Sequence, residues 1–256
     1  VKKVLQIALG IVTSVGGFLE VGSISTAAQA GAVFRFRLLW AVALSSILIM
    51  FLLEMSGRLA AVSRHTLAGA VRERFGIHFQ VVPLAAEVLV DMLVLGAEIG
   101  GVCIALQLLT GVGYRWWALP VALAVWLLLW KGSFGVIENG VALLGLVTVC
   151  FVVGAWRVRP PLREAAAGLL PGLPADRSAQ YGFLAVSIVG ATLSPYLLNF
   201  YASGAVEDKW NRTYLGVNRV TAVLGMAFGG VISAGVLALS AVILNPRGVQ
   251  VDDYGR

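Results

Sequence analysis

Apolar runs of about twenty residues or more recur along this chain, and they leave it few ways to fold. Seven such segments lie at approximately 4–32, 36–57, 80–110, 115–131, 136–156, 181–206 and 214–245. As a helix, about 20 apolar residues cross the hydrocarbon of a bilayer. Only helices and closed barrels satisfy their backbone groups in lipid, and barrel strands alternate in short segments. Runs this long and continuous predict an all-α polytopic protein, integral to the membrane and multi-pass. Composition agrees, with 59% of the 256 residues hydrophobic and 12% charged, against about 25% charged in a soluble domain. An ordinary soluble enzyme, a disordered chain and a nucleic-acid binder are excluded. The net charge of +6 places bases beside lipid headgroups rather than on DNA.

The connections carry most of the charge. The fourth segment opens on Tyr114-Arg115-Trp116-Trp117, an interfacial aromatic anchor. Residues 58–79 gather Arg58, Arg64, His65, Arg72, Glu73, Arg74 and His78, and Thr66 to Gly76 predicts a short amphipathic interfacial helix ended by Gly76. Residues 157–180 hold Pro160, Pro161, Pro171 and Pro174 with Arg157, Arg159, Arg163 and Arg177, and read as a long polar loop with some helical content. Bases divide almost evenly between the two faces. The positive-inside rule therefore gives a cytoplasmic N-terminus only weak support, the best of it from the Arg-rich 58–74 stretch. Asn211-Arg212-Thr213 matches a glycosylation sequon, but on the face this orientation makes cytoplasmic, and it is discounted. Cys103 and Cys150 lie in apolar runs without metal-ligand spacing and read as small buried hydrophobes. The chain starts on Val1-Lys2-Lys3 without Met and stops soon after an apolar run, so a fragment of a longer protein is expected. No His-Glu-x-x-His, Gly-x-Ser-x-Gly or Walker loop occurs. Both histidines fall in one connection, so no enzyme is read here and no catalytic residue is assigned.

Charges inside the apolar segments are acids. Glu20, Glu54, Glu87, Asp91 and Glu98 lie within or near the ends of segments, and no Lys or Arg does except near an end. An ionisable group near the bilayer centre costs about 2.5–3.5 kcal/mol on insertion scales. Glu54 and Glu87, near segment ends, read most simply as snorkelling near an interface or as acids protonated and hydrogen-bonded within the bundle. Glu20 and Glu98, beside glycines in mid-segment, read as cation handling or proton relay. Gly16, Gly17 and Gly22 permit an unwound turn around Glu20. Pro195, in Gly190-Ala191-Thr192-Leu193-Ser194-Pro195-Tyr196, cannot donate a backbone hydrogen bond and clashes with the carbonyl four residues back. The first and sixth segments thus each carry a polar, helix-breaking centre, and paired breaks in two halves point to a transporter site. Gly96 with Gly100 and Gly225 with Gly229 read as helix-packing surfaces.

These residues resemble the Nramp family of proton-coupled divalent-metal transporters, over essentially the whole chain. Gln29-Ala30-Gly31-Ala32 and Leu38-Leu39-Trp40 resemble the end of the family's first helix and the start of its second. Glu98-Ile99-Gly100 with Ala105-Leu106-Gln107-Leu108-Leu109 resembles its third, and Gly190-Ala191-Thr192 with Pro195 its sixth. The resemblance implies the LeuT-type fold, in which ten of eleven or twelve helices form two inverted five-helix repeats. Residues 1–156 would be the first repeat (helices 1–5), 157–180 an extramembrane loop, and 181–256 the first two helices (6–7) of the inverted second repeat. It implies alternating access in a plasma (inner) membrane, with helices one, two, six and seven rocking against three, four and five. The implied metal ligands are the Glu20 carboxylate, the Ser23 and Ser194 hydroxyls, and the carbonyls of Gly17 and Ala191. Gly22 and Pro195 would keep the two helices open, and Glu98, Tyr196 and Tyr201 would lie on a proton or ion path.

The signature departs from the family pattern. Where the family carries Asp-Pro-Gly-Asn in its first helix, this chain has Glu20-Val21-Gly22-Ser23. Where it carries Met-Pro-His in the sixth, this chain has Ser194-Pro195-Tyr196, with Tyr201 at the position of a second His. The third-helix Asp-x-x-Glu is reduced to Glu98, with Leu95 at the Asp position. A thioether suits softer transition metals, whereas the remaining ligands are all oxygen, which hard cations such as Mg²⁺, Mn²⁺ or Ca²⁺ prefer. The expected function is secondary-active transport of a divalent cation, Mg²⁺ or Mn²⁺ favoured. Its expected partners are the metal ion, protons and the lipid bilayer, with no nucleic acid, no resident cofactor and a monomeric transporter. Two other readings stay open at this point. One is a LeuT-fold transporter of a small organic solute held by Tyr196 and Tyr201. The other is a seven-helix membrane receptor or sensor.

Overall fold

A computed structural model describes residues 20–132, 140, 145, 147–174, 176–249 and 251. Among these, every regular element is a helix. In chain order they are α1 (Val21–Phe34), α2 (Leu39–Ser63), α3 (Leu67–Phe75), α4 (Ile77–Thr110), α5 (Tyr114–Lys131), α6 (Val149–Arg157), α7 (Leu162–Ala167), α8 (Ser178–Thr192), α9 (Pro195–Glu207) and α10 (Leu215–Ile243). Four stretches are long and apolar enough to cross a membrane: Leu39–Ser63, Ile77–Thr110, Ser178–Glu207 and Arg212–Arg247. The first, fourth and fifth expected segments correspond to the shorter helices α1, α5 and α6, and residues 1–19 and most of 133–146 lie outside the described set. The connection after α2 contains the expected short helix. Thr66 caps α3 by accepting from the Gly69 amide at 3.1 Å, and Gly76, at a φ of 81°, turns the chain directly into α4. The proline-rich connection contains α7. It is tied to the α1–α2 turn by the Arg35–Glu164 ion pair at 3.1 Å and by the Trp40 amide donating to the Gly168 carbonyl at 2.9 Å.

Helix α10 is the centre of the assembly and packs against α1, α2 and α6. The main core joins Ala27, Ala30 and Phe34 of α1 with Leu39 and Val42 of α2, Tyr181 and Leu184 of α8, and Val236 and Leu237 of α10. Lipid is as apolar as leucine, so helices associate in it by close packing, which small residues allow. Gly31 shows how close: a Cβ there would overlap the Leu237 carbonyl oxygen of α10. A second cluster joins Ile49 and Leu53 of α2 to Leu197 of α9 and Met226 of α10. The Gly225–Gly229 pair is buried in α10, as its spacing suggests. Gly96 and Gly100 differ, because no described residue comes within 4 Å of a Cβ at either, so the packing surface read there is not used by the described residues.

Helix α4 is built inside out. Its exposed face is apolar, with Leu89, Leu93, Leu108 and Leu109 turned outward. Between Gln80 and Glu98 the residues that are not exposed are Gln80, Glu87, Asp91, Val94 and Glu98, which fall on one helical stripe. A helix in water shows the opposite pattern, and this one suits hydrocarbon outside and polar neighbours inside. Three sequence expectations are corrected here. Cys150 is exposed, whereas Cys103 is buried; in lipid a small apolar side chain need not be covered. Glu54 does not snorkel, because α2 runs on to Ser63 and buries it. A base does lie inside a spanning helix, since Arg58 of α2 donates three bonds to the Glu54 carboxylate, at 3.1, 2.7 and 2.8 Å.

Replacing Gly31 with Ala should therefore force α1 and α10 apart. Overpacking of this kind costs about 1–3 kcal/mol, and thermal unfolding of the full-length protein in detergent should show a lower midpoint. Gly96→Ala, with open space at its Cβ, should leave the midpoint unchanged or raise it, since Ala is the better helix former by about 1 kcal/mol.

Candidate cation site

A chain interruption and a helix start build the site. Helix α8 ends at Thr192, Leu193 leaves helical geometry at φ −90°, ψ 46°, and Ser194 is extended at φ −67°, ψ 125°. Pro195 is the first residue of α9, where a missing amide hydrogen and a fixed φ are no loss. The chain is thus broken ahead of the proline rather than kinked at it. The other part is a helix start: Glu20 is extended at φ −108°, ψ 166°, and α1 begins at Val21. Gly22 falls within the first turn of α1, and the stretch ahead of Glu20, where Gly16 and Gly17 lie, is outside the described residues. Glu20 and Ser23 close this end on each other. The Glu20 amide donates to Ser23 Oγ at 3.1 Å, and Ser23 Oγ donates to the Glu20 carbonyl at 2.9 Å.

The interruption and the start of α1 meet at the Glu20 carboxylate. Tyr196 of α9 donates its hydroxyl to Glu20 Oε2 at 2.9 Å. Ser194 Oγ lies 3.5 Å from Glu20 Oε1 and donates to the Ala191 carbonyl at 3.0 Å. Glu98 of α4 reaches the same place, its Oε1 accepting from the Val21 amide at 2.6 Å. Ser23, Thr192 and Ser194 are buried there. The N-terminus of α1, positive by its aligned peptide dipoles, is met by two carboxylates. The C-terminus of α8 adds carbonyls that no further helical turn can satisfy. The donor set is oxygen throughout, and the described residues contain no group of three or more His, Cys, Asp or Glu side chains that could hold a metal. Such a set suits a hard cation and offers nothing to a soft one.

Other residues fall elsewhere. Tyr201 stands apart from Glu20: it donates to Asn218 Oδ1 at 3.0 Å, and Asn218 Nδ2 donates to the Glu54 carbonyl at 2.9 Å. It belongs to a separate knot with the Glu54–Arg58 pair. Gly17 lies outside the described residues. Sequence reasoning missed the Asn199–Glu87 hydrogen bond, which links α9 to α4. It also missed that the α4 acids share one stripe, although their spacing of four and seven could have shown it. Asp91 is on that stripe, with its Oδ1 buried and without a hydrogen-bond partner among the described residues.

The fold and site define a class: a multi-span α-helical membrane protein with an oxygen-lined site where an interrupted helix meets the start of another. The family model described as natural resistance-associated macrophage protein-like, Nramp, matches residues 10–256. The chain belongs to this family, whose members are integral membrane transporters and not enzymes. It is 27% identical over 269 residues to a divalent metal cation transporter MntH of Deinococcus radiodurans, covering 98% of this chain and 59% of that protein. It is 31% identical over 250 residues to the MntH of Xylella fastidiosa strain 9a5c, covering 93% of this chain and 52% of that protein. Among solved structures, a mutant manganese transporter of Eremococcus coleocola shares the fold at a TM-score of 0.75 and 22% identity, covering 92% of this chain and 51% of that one. The same transporter bound to an aromatic bis-isothiourea compound gives 0.70 at 24% identity, over 95% and 51%. The chain spans about half the length of the curated relatives it matches.

Removing the Tyr196 hydroxyl should expose how much it holds. A hydrogen bond to a charged group contributes about 1.5–3 kcal/mol. Tyr196→Phe should destabilise the cation-free full-length protein by about 1.5–3 kcal/mol, seen as a lower midpoint in thermal denaturation.

Proposed function

We propose that the full-length protein is a secondary-active transporter carrying a hard divalent cation, Mg²⁺ or Mn²⁺ favoured, by alternating access. The observation that carries this reading is the convergence of Glu20, Ser194, Tyr196 and the Ala191 carbonyl where the broken α8–α9 stretch meets the start of α1. Broken helices expose backbone carbonyls and helix ends near the bilayer midplane, which is how transporters bind ions without resident cofactors. The relatives' printed names, divalent metal cation transporter and manganese transporter, support the same cargo class.

In this reading Tyr196 holds one Glu20 oxygen, leaving Oε1 beside Ser194 to take the cation. The Ser194 hydroxyl and Ala191 carbonyl complete one side, with Ser23 and the Gly17 carbonyl on the other. Residues 1–156 form the first repeat, 157–180 an extramembrane loop, and 181–256 the first two helices of an inverted second repeat, as in the LeuT-type fold. Support comes from the start of α1 and the α8–α9 break lying in the first and sixth apolar segments. Helices α1, α2, α8 and α10 share one core, whereas among the described residues α4 buries only Cys103 and α5 buries none. That division suits one body rocking against another around the site. A cage for an organic solute needs Tyr196 and Tyr201 together, and the bond between Tyr201 and Asn218 favours the metal reading over it.

The test is uptake by the full-length protein in proteoliposomes. Mn²⁺ or Mg²⁺ should enter, and Glu20→Ala should abolish the flux. Ser194→Met, which adds a soft thioether, should shift preference toward Cd²⁺ over Mg²⁺. Flux indifferent to Glu20→Ala would end the site assignment.

A further inference from the structure

Glu98 does something more specific than carry charge into the membrane. Its Oε1 accepts from the Val21 amide at 2.6 Å, short enough for a charge-assisted bond. Val21 is the first residue of α1 and follows Glu20 directly. The first amides of a helix have no acceptor within it, and in hydrocarbon no water replaces one. The Glu20 amide is met by Ser23, and the Val21 amide is met from α4. Three residues beyond Glu98, on the same face, Gly101 lies against the Val21 side chain. A Cβ on Gly101 would stand 2.8 Å from Val21 Cγ2 and 3.1 Å from Cγ1. Glu98 and Gly101 therefore grip the backbone and the side chain of one residue.

We propose that Glu98 is a positioning residue that clamps the start of α1 onto α4, so that the Glu20 carboxylate is held toward Ser194 and Tyr196. It acts as a hydrogen-bond acceptor through the Val21 amide and does not ligate the cation. Gly101 is the second half of the clamp, open enough for Val21 to seat. The effect on cation binding rests on the transport reading given above, whereas the clamp itself does not. An acceptor role makes a demand that a proton-carrying role does not: the amide oxygen of Gln can still accept from Val21, and the methyls of Leu cannot.

The experiment uses the full-length protein in lipid nanodiscs with Glu98→Gln, Glu98→Leu and Gly101→Val. Hydrogen exchange is followed at peptides covering the start of α1, and Mn²⁺ affinity is followed by titration calorimetry. Glu98→Gln should keep the protection of the wild type and a Kd within about threefold of it. Glu98→Leu should lose protection and weaken Mn²⁺ binding by about tenfold, the equivalent of one such hydrogen bond. Gly101→Val should loosen the same peptides without touching the carboxylate. Glu98→Gln behaving like Glu98→Leu would overturn the proposal, because the charge would then matter rather than the acceptor. Unchanged protection in Glu98→Leu would overturn it too. If Glu98→Leu does not fold, Glu98→Gln and Gly101→Val decide between the same outcomes. A wild-type protein that binds no Mn²⁺ speaks against the cation reading, and the exchange measurement still judges the clamp.

Discussion

A helix that starts or breaks inside hydrocarbon leaves peptide groups that water cannot reach, and in this chain the start of α1 and the break between α8 and α9 satisfy each other. An unmet buried polar group costs several kcal/mol in lipid. Glu20 resolves much of that cost. Its amide and carbonyl close on Ser23, and its carboxylate takes the Tyr196 hydroxyl from the far side of the break. Ser194 in turn covers the Ala191 carbonyl. The helix start and the break persist because these groups meet one another.

The rest of the described structure holds those two ends in register. Small residues of α1 bring it against α10, with Gly31 at the Leu237 carbonyl. Further along α9, six residues past Pro195 and so about 9 Å down the helix, Tyr201 enters a polar knot. There Asn218 of α10 bridges the Tyr201 hydroxyl and the Glu54 carbonyl, and Arg58 pairs with the Glu54 side chain. Ser56 adds a bond from α2 to the Leu198 carbonyl of α9 at 2.9 Å. The start of α9 is thus fixed by its own far end, and Tyr196 is delivered to Glu20 on a helix anchored to both α2 and α10.

What the sequence made legible follows from where the physics is local. Long apolar runs mark helices through their length alone. Pro195 marks a break because its ring is incompatible with the preceding helical turn. Glu20 stands out because a carboxylate between glycines is costly in lipid. The fate of Glu54 was not legible, because a segment end read at residue 57 hid the extra turns that bring Arg58 alongside it. Gly22 was assigned to a break because glycine permits one, yet the capping exchange between Glu20 and Ser23 places the helix start before it. Tyr201 was drawn toward the site by family correspondence, and only tertiary packing shows its bond to Asn218. The role of Glu98 depends on an amide seventy-seven positions away in sequence, which no local pattern reveals.

The inverted pattern of α4 bears on how the protein is made. Before α8 to α10 follow it, α4 must partition into the bilayer as a segment carrying Glu87, Asp91 and Glu98. Each acid opposes insertion by roughly 2.5–3.5 kcal/mol, and each central Leu, Ile, Phe or Val favours it by roughly 0.3–0.6 kcal/mol. The outward leucines and valines of α4 therefore serve biogenesis as well as lipid contact, since together they offset much of what the three acids cost. A polar substitution on that outer face touches no site residue, yet it removes part of the force that delivers the site.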